Sequence, residues 1–395
     1  MKRSLILLLT ALTACGTVAE APMSLKVVRS EMHRNPEASY IDGQEGNLKW
    51  NYTTGLELKA MLDVYEKNYK QARKDKILDY VDAWYDAIID STGTIYKYKR
   101  SNYSTDHICP GRTLFQLYDI TGKEKYRMAM DTLYKQIQEQ PRTPEGGFWH
   151  KKIYPNQMWL DGLYMAQPFY AEYTKRYVPD SLKAANYEDI ALQFRTVYEH
   201  TYDPTTGLLR HAWDSSHEMF WCDKTTGQSA HAWGRAMGWY AMALVDVAEI
   251  LPEGEPRSEI IDILNKVMDS IMPYSEMSSF MWYQVLDCPG RQGNYLEATC
   301  SAMFVYTMLK GTRLGILQNF TADKARRHYV KMLQCFVRLR EGDIIDLTQC
   351  CEVAGLGGKQ NRSGDYDYYI NEPVRSNDPK GIGPLIWAAF EIERQ

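Results

Sequence analysis

Two acidic residues stand apart from the many solvated Asp and Glu of this 395-residue chain. Asp161 lies in Met158-Trp159-Leu160-Asp161-Gly162-Leu163-Tyr164-Met165, at the start of an apolar stretch. A carboxylate between Trp159 and Tyr164 weakens the fold, because its charge is taken out of water. The same desolvation suits it to give and take a proton near neutral pH. Asp106, in Ser104-Thr105-Asp106-His107-Ile108-Cys109-Pro110-Gly111, stands where a helix should begin. It reads either as a helix cap or as the second carboxylate of a site.

Other groups could serve these two. His150 and Lys151 end a long polar loop behind Gly146-Gly147-Phe148-Trp149, and His211 lies in Leu209-Arg210-His211-Ala212-Trp213-Asp214. Such loop residues are either solvated or bind a ligand. Arg235 and Trp239 are four apart, so on a helix they share a face and could wall in a carboxylated sugar; an arginine stacked on a core tryptophan has the same spacing. Trp159 and Trp233 add rings beside Asp161 and Arg235.

What is missing narrows the chemistry. No GxSxG elbow, HExxH, P-loop, GxGxxG or EF-hand loop occurs, which argues against a serine hydrolase, a zincin and nucleotide chemistry. His150, His211 and His231 lie on separate segments, and Cys109, Cys222, Cys288, Cys300, Cys335, Cys350 and Cys351 show no CxxC spacing. No metal and no cofactor are therefore expected. Net charge is −4 from 46 basic and 50 acidic residues, without a long like-charge run, which argues against a nucleic-acid partner. Carboxylates, imidazoles, an arginine and 12% aromatic residues make up a carbohydrate-active inventory.

Helices must position these groups. Three- and four-residue apolar spacing predicts helices over 55–69, 76–89, 106–121, 125–138, 157–173, 187–200, 236–251, 256–272, 296–311, 321–336 and 381–393. Strand-like alternation is confined to short pieces near 94–99 and 280–285. Short connectors such as Thr121-Gly122-Lys123 and Pro252-Glu253-Gly254 alternate with long polar loops, the pattern of helical hairpins. Pattern alone leaves open a closed ring or an open solenoid. At the N-terminus, Lys2 and Arg3 precede the apolar run from Leu5 to Leu12 and then Thr13-Ala14-Cys15, an export signal with a lipidation cysteine. The expected organisation is a signal over 1–15, a tether and extension over 16–45, and a catalytic domain over 46–395. Contact with a membrane would be through the lipid on Cys15 alone, on the periplasmic or cell-surface side.

From about Trp50 to Glu393 the chain resembles glycoside hydrolase family 105, the unsaturated rhamnogalacturonyl hydrolases, which are related to the unsaturated glucuronyl hydrolases of family 88. The likeness is carried by Asp106 to Gly111, by Phe148-Trp149-His150-Lys151 ahead of Met158 to Met165, and by Trp233-Gly234-Arg235-Ala236-Met237-Gly238-Trp239-Tyr240. Val353 to Gly358, Tyr368-Tyr369 and Asn377 to Pro384 extend it. The resemblance implies an all-α (α/α)6 barrel of six helical hairpins. It also implies Asp161 as catalytic acid and Asp106 as the second acidic residue. His150, Lys151, His211, Arg235 and Trp239 would line the uronate pocket. The implied substrate is an oligosaccharide ending in a 4,5-unsaturated uronate, most simply of rhamnogalacturonan type. Protonation of C4 would be assisted by Asp106, whose negative charge would raise the pKa of Asp161. The competing readings are an unsaturated glucuronyl hydrolase, an inverting glycosidase acting on saturated glycosides, and a lipid-anchored glycan-binding protein without turnover. The Cys15→Ala protein should be released from membranes in detergent-free lysates with its activity unchanged; continued membrane association would remove the lipid anchor from this account.

Overall fold

The computed structural model describes residues 20–67, 70 and 74–394. The export signal and Cys15 lie outside the described residues. Among the described residues the α-helices begin, in chain order, with α1 (Met23–Arg34), α2 (Tyr52–Glu66), α3 (Ile77–Ile88), α4 (Gly111–Thr121), α5 (Glu124–Glu139), α6 (Leu160–Tyr177) and α7 (Asp180–Thr201). They are followed by α8 (Gly234–Ile250), α9 (Glu255–Ile271), α10 (Ala298–Arg313), α11 (Ala322–Phe336), the short α12 (Tyr366–Asn371) and α13 (Pro379–Ile392).

Burial sorts these helices into two layers. Every residue from Gly234 to Ala248 of α8, Ala298 to Gly311 of α10 and Pro379 to Glu391 of α13 is buried, so these helices have no face for water. Others bury one stripe: α9 buries Ile260, Ile263, Leu264, Val267, Met268 and Ile271, at the spacing of a single helix face. The inner helices follow one another as α2, α4, α6, α8, α10 and α13, and α13 returns to pack on α2. The outer helices α3, α5, α7, α9 and α11 cover their hairpin partners α2, α4, α6, α8 and α10. This is the (α/α)6 barrel, and the contact of α13 with α2 excludes an open solenoid. Gly238 brings α8 and α10 close, since a Cβ there would approach the sulfur of Met303 to 2.7 Å.

The sixth outer helix comes from residues assigned by sequence to an extension. α1 lies on α13, buries Leu25, Val27 and Val28, and Ser24 donates from its N–H and Oγ to the Glu393 carboxylate at 2.9 and 2.6 Å. The barrel therefore takes in residues well before 46. Its short, sparse apolar stripe explains why periodicity passed over it. The expected strand pieces near 94–99 and 280–285 form only isolated bridges, such as Ile89 with Ile95 and Trp233 with Val285. The strands proper are antiparallel pairs: β1 (Gln157–Trp159) with β2 (Ala212–Asp214), β3 (Val337–Leu339) with β4 (Ile345–Leu347), and β5 (Cys350–Cys351) with β6 (Val374–Arg375).

All six inner helices start at the same mouth of the barrel. Asn51, Glu297 and Asp378 cap α2, α10 and α13 with their side chains, whereas α4, α6 and α8 have no side-chain cap. The first N–H groups of α4 donate to the Ile108, Cys109 and Pro110 carbonyls, so α6 and α8 are the helices that turn uncapped first turns towards negative charge at this mouth. Val28→Asp should destabilise the protein by more than about 3 kcal/mol, because the charge would be buried between α1 and α13. A wild-type melting temperature would show that this segment is a tether after all.

Candidate active site

The short β1–β2 pair builds the centre of the site. Trp159 pairs with Ala212, and the N–H of Leu160 donates to the carbonyl of His211 at 3.1 Å. This register sets His211 opposite the first turn of α6, where Asp161 lies, with His211 Nε2 at 3.2 Å from Asp161 Oδ2. On its other side His211 Nδ1 is 2.7 Å from the Tyr369 hydroxyl. Trp159 meets the imidazole edge-on at 5.3 Å, and Trp233 lies against it at 4.8 Å. His211 is fully buried. Asp161 Oδ2 is also buried, close to His211 Nε2 but in hydrogen-bonding geometry with no group among the described residues, so the accessible oxygen of this carboxylate is Oδ1.

A second unit holds Asp106. It sits in a single 3-10 turn, Thr105–His107, and α4 begins only at Gly111 behind Pro110, so Asp106 is not a helix cap. Lys151 Nζ lies 2.5 Å from its Oδ2 and His150 Nε2 lies 3.6 Å from its Oδ1. His150 is held from behind by Thr105 Oγ1 at 3.1 Å from Nδ1 and by the Trp159 ring stacked at 4.6 Å. The loop residues His150 and Lys151 thus face Asp106 directly and join the two carboxylate units through Trp159.

Arg235, in the first turn of α8, is 1% exposed; it lies over the Trp233 ring at 4.6 Å and donates to the Cys351 carbonyl, while its Nε has no partner. The shared wall expected of Arg235 and Trp239 does not form. Trp239 is 1% exposed and packs a turn deeper, at 4.7 Å from Tyr164 and 6.3 Å from Tyr52. Trp159, Trp233 and Trp239 are all nearly covered, so in this structure they brace His211, His150 and Arg235 and turn no open ring face to the cleft.

Sequence reasoning gave no role to Tyr52, Tyr369, Glu297 or Asp378. Tyr52 opens α2 in a cleft of about 330 Å³ that it lines with Asp42, Trp50, Asn51, Asp106, His107 and Lys380, among others. Glu297 accepts from the N–H of Cys351 at 2.9 Å, which fixes the strand whose carbonyl holds Arg235. The runs Tyr368-Tyr369 and Asn377 to Pro384 were the available signal for Tyr369 and Asp378. A larger cleft of about 510 Å³ at the opposite mouth is lined by ion pairs, such as Asp246 with Arg112 at 2.8 Å and with Lys310 at 2.7 Å. Those partners hold Asp246 well below the usual carboxylate range despite its burial. His231, Asp287 and Cys288 also come together, a cluster not visible in sequence spacing. The Asp287 carboxylate is already taken by Arg210 at 2.8 Å, His231 at 2.9 Å and the Ala232 N–H at 3.0 Å.

The electrostatics correct one expectation. Burial alone would raise the pKa of Asp161, but His211, His150 and Arg235 outweigh it and hold the carboxyl below its ordinary 3.8. Burial is likewise outweighed at Asp106, chiefly by Lys151 and then His150. Asp106 spends its charge on Lys151, so in the empty site it does not keep Asp161 protonated. Burial pushes His150 down to about 4, Asp106 opposing it only in part.

A family model described as Glycosyl Hydrolase Family 88 matches residues 23–395. A family 105 glycoside hydrolase from C. acetobutylicum superposes with a TM-score of 0.88 at 41% identity, over 95% of this chain and 100% of that one. Protein Atu3128 of Agrobacterium fabrum is 39% identical over 210 residues, 52% of this chain and 89% of that protein. Unsaturated rhamnogalacturonyl hydrolase YesR of Bacillus subtilis is 24% identical over 272 residues, 67% of this chain and 72% of that one.

The pKa shifts fix the sign of a pH effect. The lowered Asp106 and Asp161 contribute stability above their unfolded value that is lost on acidification. The lowered His150 is uncharged in the fold, so stability also drops as pH falls from the ordinary 6.5 towards about 4. Between these limits His150→Gln should remove a decline on the order of 2 kcal/mol. Thermal melts of both proteins across that window check it, and equal slopes would contradict a neutral buried His150.

Proposed function

Because the chain belongs to Glycosyl Hydrolase Family 88 and shares 41% of its sequence with a family 105 enzyme, we propose that it releases a 4,5-unsaturated uronate from the non-reducing end of lyase-generated oligosaccharides. Rhamnogalacturonan-type fragments are the favoured substrates. The observation that carries this reading is the environment of Asp161: one carboxylate oxygen is buried against His211, the other is accessible, and Arg235 is nearby with an unpaired Nε. A unit of this kind can protonate a carbon beside a bound carboxylate.

The reaction needs few groups. Asp161 gives a proton to C4 of the C4=C5 enol ether, and positive charge is shared between C5 and the ring oxygen. Water adds at C5 and returns its proton to Asp161. The hemiketal opens by breaking the bond from C5 to the ring oxygen, and the hemiacetal left at C1 expels the next sugar as an alcohol. No enzyme nucleophile is required. Asp161 is anionic in the empty site, so substrate must change its protonation. A uronate beside Arg235 places a negative charge near Asp161, offsets the cation that lowers its pKa, and displaces water; each effect raises the pKa. Lys151 keeps Asp106 ionised, ready to accept hydrogen bonds from sugar hydroxyls or water. An exported enzyme tethered through Cys15 fits a substrate made outside the cytoplasm.

The test is incubation with lyase-generated disaccharides of rhamnogalacturonan and of glucuronate-containing glycans. Loss of the enol-ether ultraviolet absorbance on the first set is expected. Turnover with the chromophore intact would point instead to a hydrolase of saturated glycosides. Binding without turnover would point to a glycan-binding protein. Asp161→Asn should keep substrate binding and lose turnover by roughly three orders of magnitude or more, as an amide cannot supply the C4 proton. Near-wild-type rates would exclude Asp161 from the mechanism.

A further inference from the structure

We propose that Tyr369 is a positioning residue that fixes the tautomer of His211 and thereby keeps the acid proton of Asp161 on the oxygen facing the cleft. The inference rests on the reading of Asp161 as the proton donor and goes beyond it by assigning a function to the C-terminal α12 segment.

The argument is an accounting of hydrogens. Tyr369 is fully buried, and its hydroxyl meets His211 Nδ1 at 2.7 Å with no second hydrogen-bond partner among the described residues. Burial pushes the phenol far above its ordinary pKa, so the O–H stays protonated. If Nδ1 carried hydrogen it would donate to the phenol oxygen, and the phenol hydrogen would be stranded in the core. With the phenol donating to Nδ1, every hydrogen is placed. The imidazole hydrogen then sits on Nε2, 3.2 Å from Asp161 Oδ2. Nε2 and Oδ2 are both buried and meet as a close polar contact outside hydrogen-bonding geometry, and neither is in such geometry with a third group among the described residues. An Nε2–H beside Oδ2 excludes a second hydrogen from that oxygen, so a protonated Asp161 carries its hydrogen on the accessible Oδ1. A flipped imidazole tautomer would accept from Oδ2–H and point the acid proton away from substrate.

Tyr369 is itself held firmly. Its ring stacks with Trp233 at 5.9 Å, and Gln284 donates to its carbonyl at 3.2 Å while accepting from Trp233 Nε1 at 3.1 Å. The charged and titratable groups facing this line of residues are His150 from its loop, Arg235 from α8 and Tyr52 from α2 around Asp161. Tyr368, Asp287 and Arg362 surround Tyr369. None of them is within hydrogen-bonding distance of the Tyr369 hydroxyl, so none replaces it as donor to Nδ1.

The experiment compares wild type with Tyr369→Phe, which removes one oxygen and keeps the ring packing. Nitrogen NMR of the ¹⁵N-histidine-labelled free protein, with His211 identified by its loss in His211→Gln, should show hydrogen on Nε2 in wild type. A mixture, or hydrogen on Nδ1, should appear in Tyr369→Phe. With the unsaturated disaccharide, the variant should lose about 10- to 100-fold in kcat with KM little changed. The alkaline limb of its profile should move to higher pH, since an accepting Nε2 stabilises protonated Asp161. Hydrogen on Nδ1 in the wild type would overturn the proposal, as would an unchanged tautomer and pH profile in the variant. The NMR result needs no substrate, so it decides the tautomer even if the enzyme proves to act on a different glycan.

Discussion

A helix that is apolar on every side can meet water nowhere, and α8, α10 and α13 are of this kind. The consequences run through the molecule. Such helices must be ringed by others, the ring must close, and their polar ends can surface only at the two mouths. Because every connection from an outer helix to an inner one ends at the same mouth, the six inner N-termini gather there with the long loops. The site is a by-product of this geometry: wherever a carboxylate or guanidinium occupies the first turn of an inner helix, as Asp161 and Arg235 do, it arrives beside its counterparts from neighbouring hairpins.

Burial and charge are balanced closely at that mouth. Two carboxylates stand in a mostly apolar surround, and each is compensated by a different partner: Lys151 for Asp106, His211 for Asp161. The two units therefore stand apart, each carboxylate with its own partner, and do not share one proton as a carboxylate dyad does. The empty site is poised on the ionised side, and the charge on the substrate becomes part of the catalytic apparatus.

Much of this was legible in the residues. Three- and four-residue apolar spacing gave the helices, alternating loop lengths gave the hairpins, and a carboxylate between rings singled out Asp161. The misses have physical causes. The α1 stripe of Leu25, Val27 and Val28 is too sparse for periodicity to register, since its partner α13 lies at the other end of the chain. The link from Tyr369 to His211 spans 158 positions, and no local pattern encodes it. Trp239 packs deeper than its spacing suggested, because four-residue spacing places two side chains on one face and does not say how deep each sits. Arg235 found its ring at Trp233 instead, two residues away, because the helix begins between them. The neighbour effect expected of Asp106 failed for a related reason: sequence revealed the acid and not its ion pair.

The meeting of α1 with α13 shapes how the molecule comes into being. The first outer helix to leave the ribosome carries Leu25, Val27 and Val28 with nothing to cover them until the last inner helix has been made. The barrel can accumulate hairpins as synthesis proceeds, but its seam stays unsealed until α13 has been made, so closure of the ring waits for that helix. The contact of Ser24 with Glu393 is the clasp of that seam: two hydrogen bonds join segments 369 positions apart and hold the first and last described helices of the ring together.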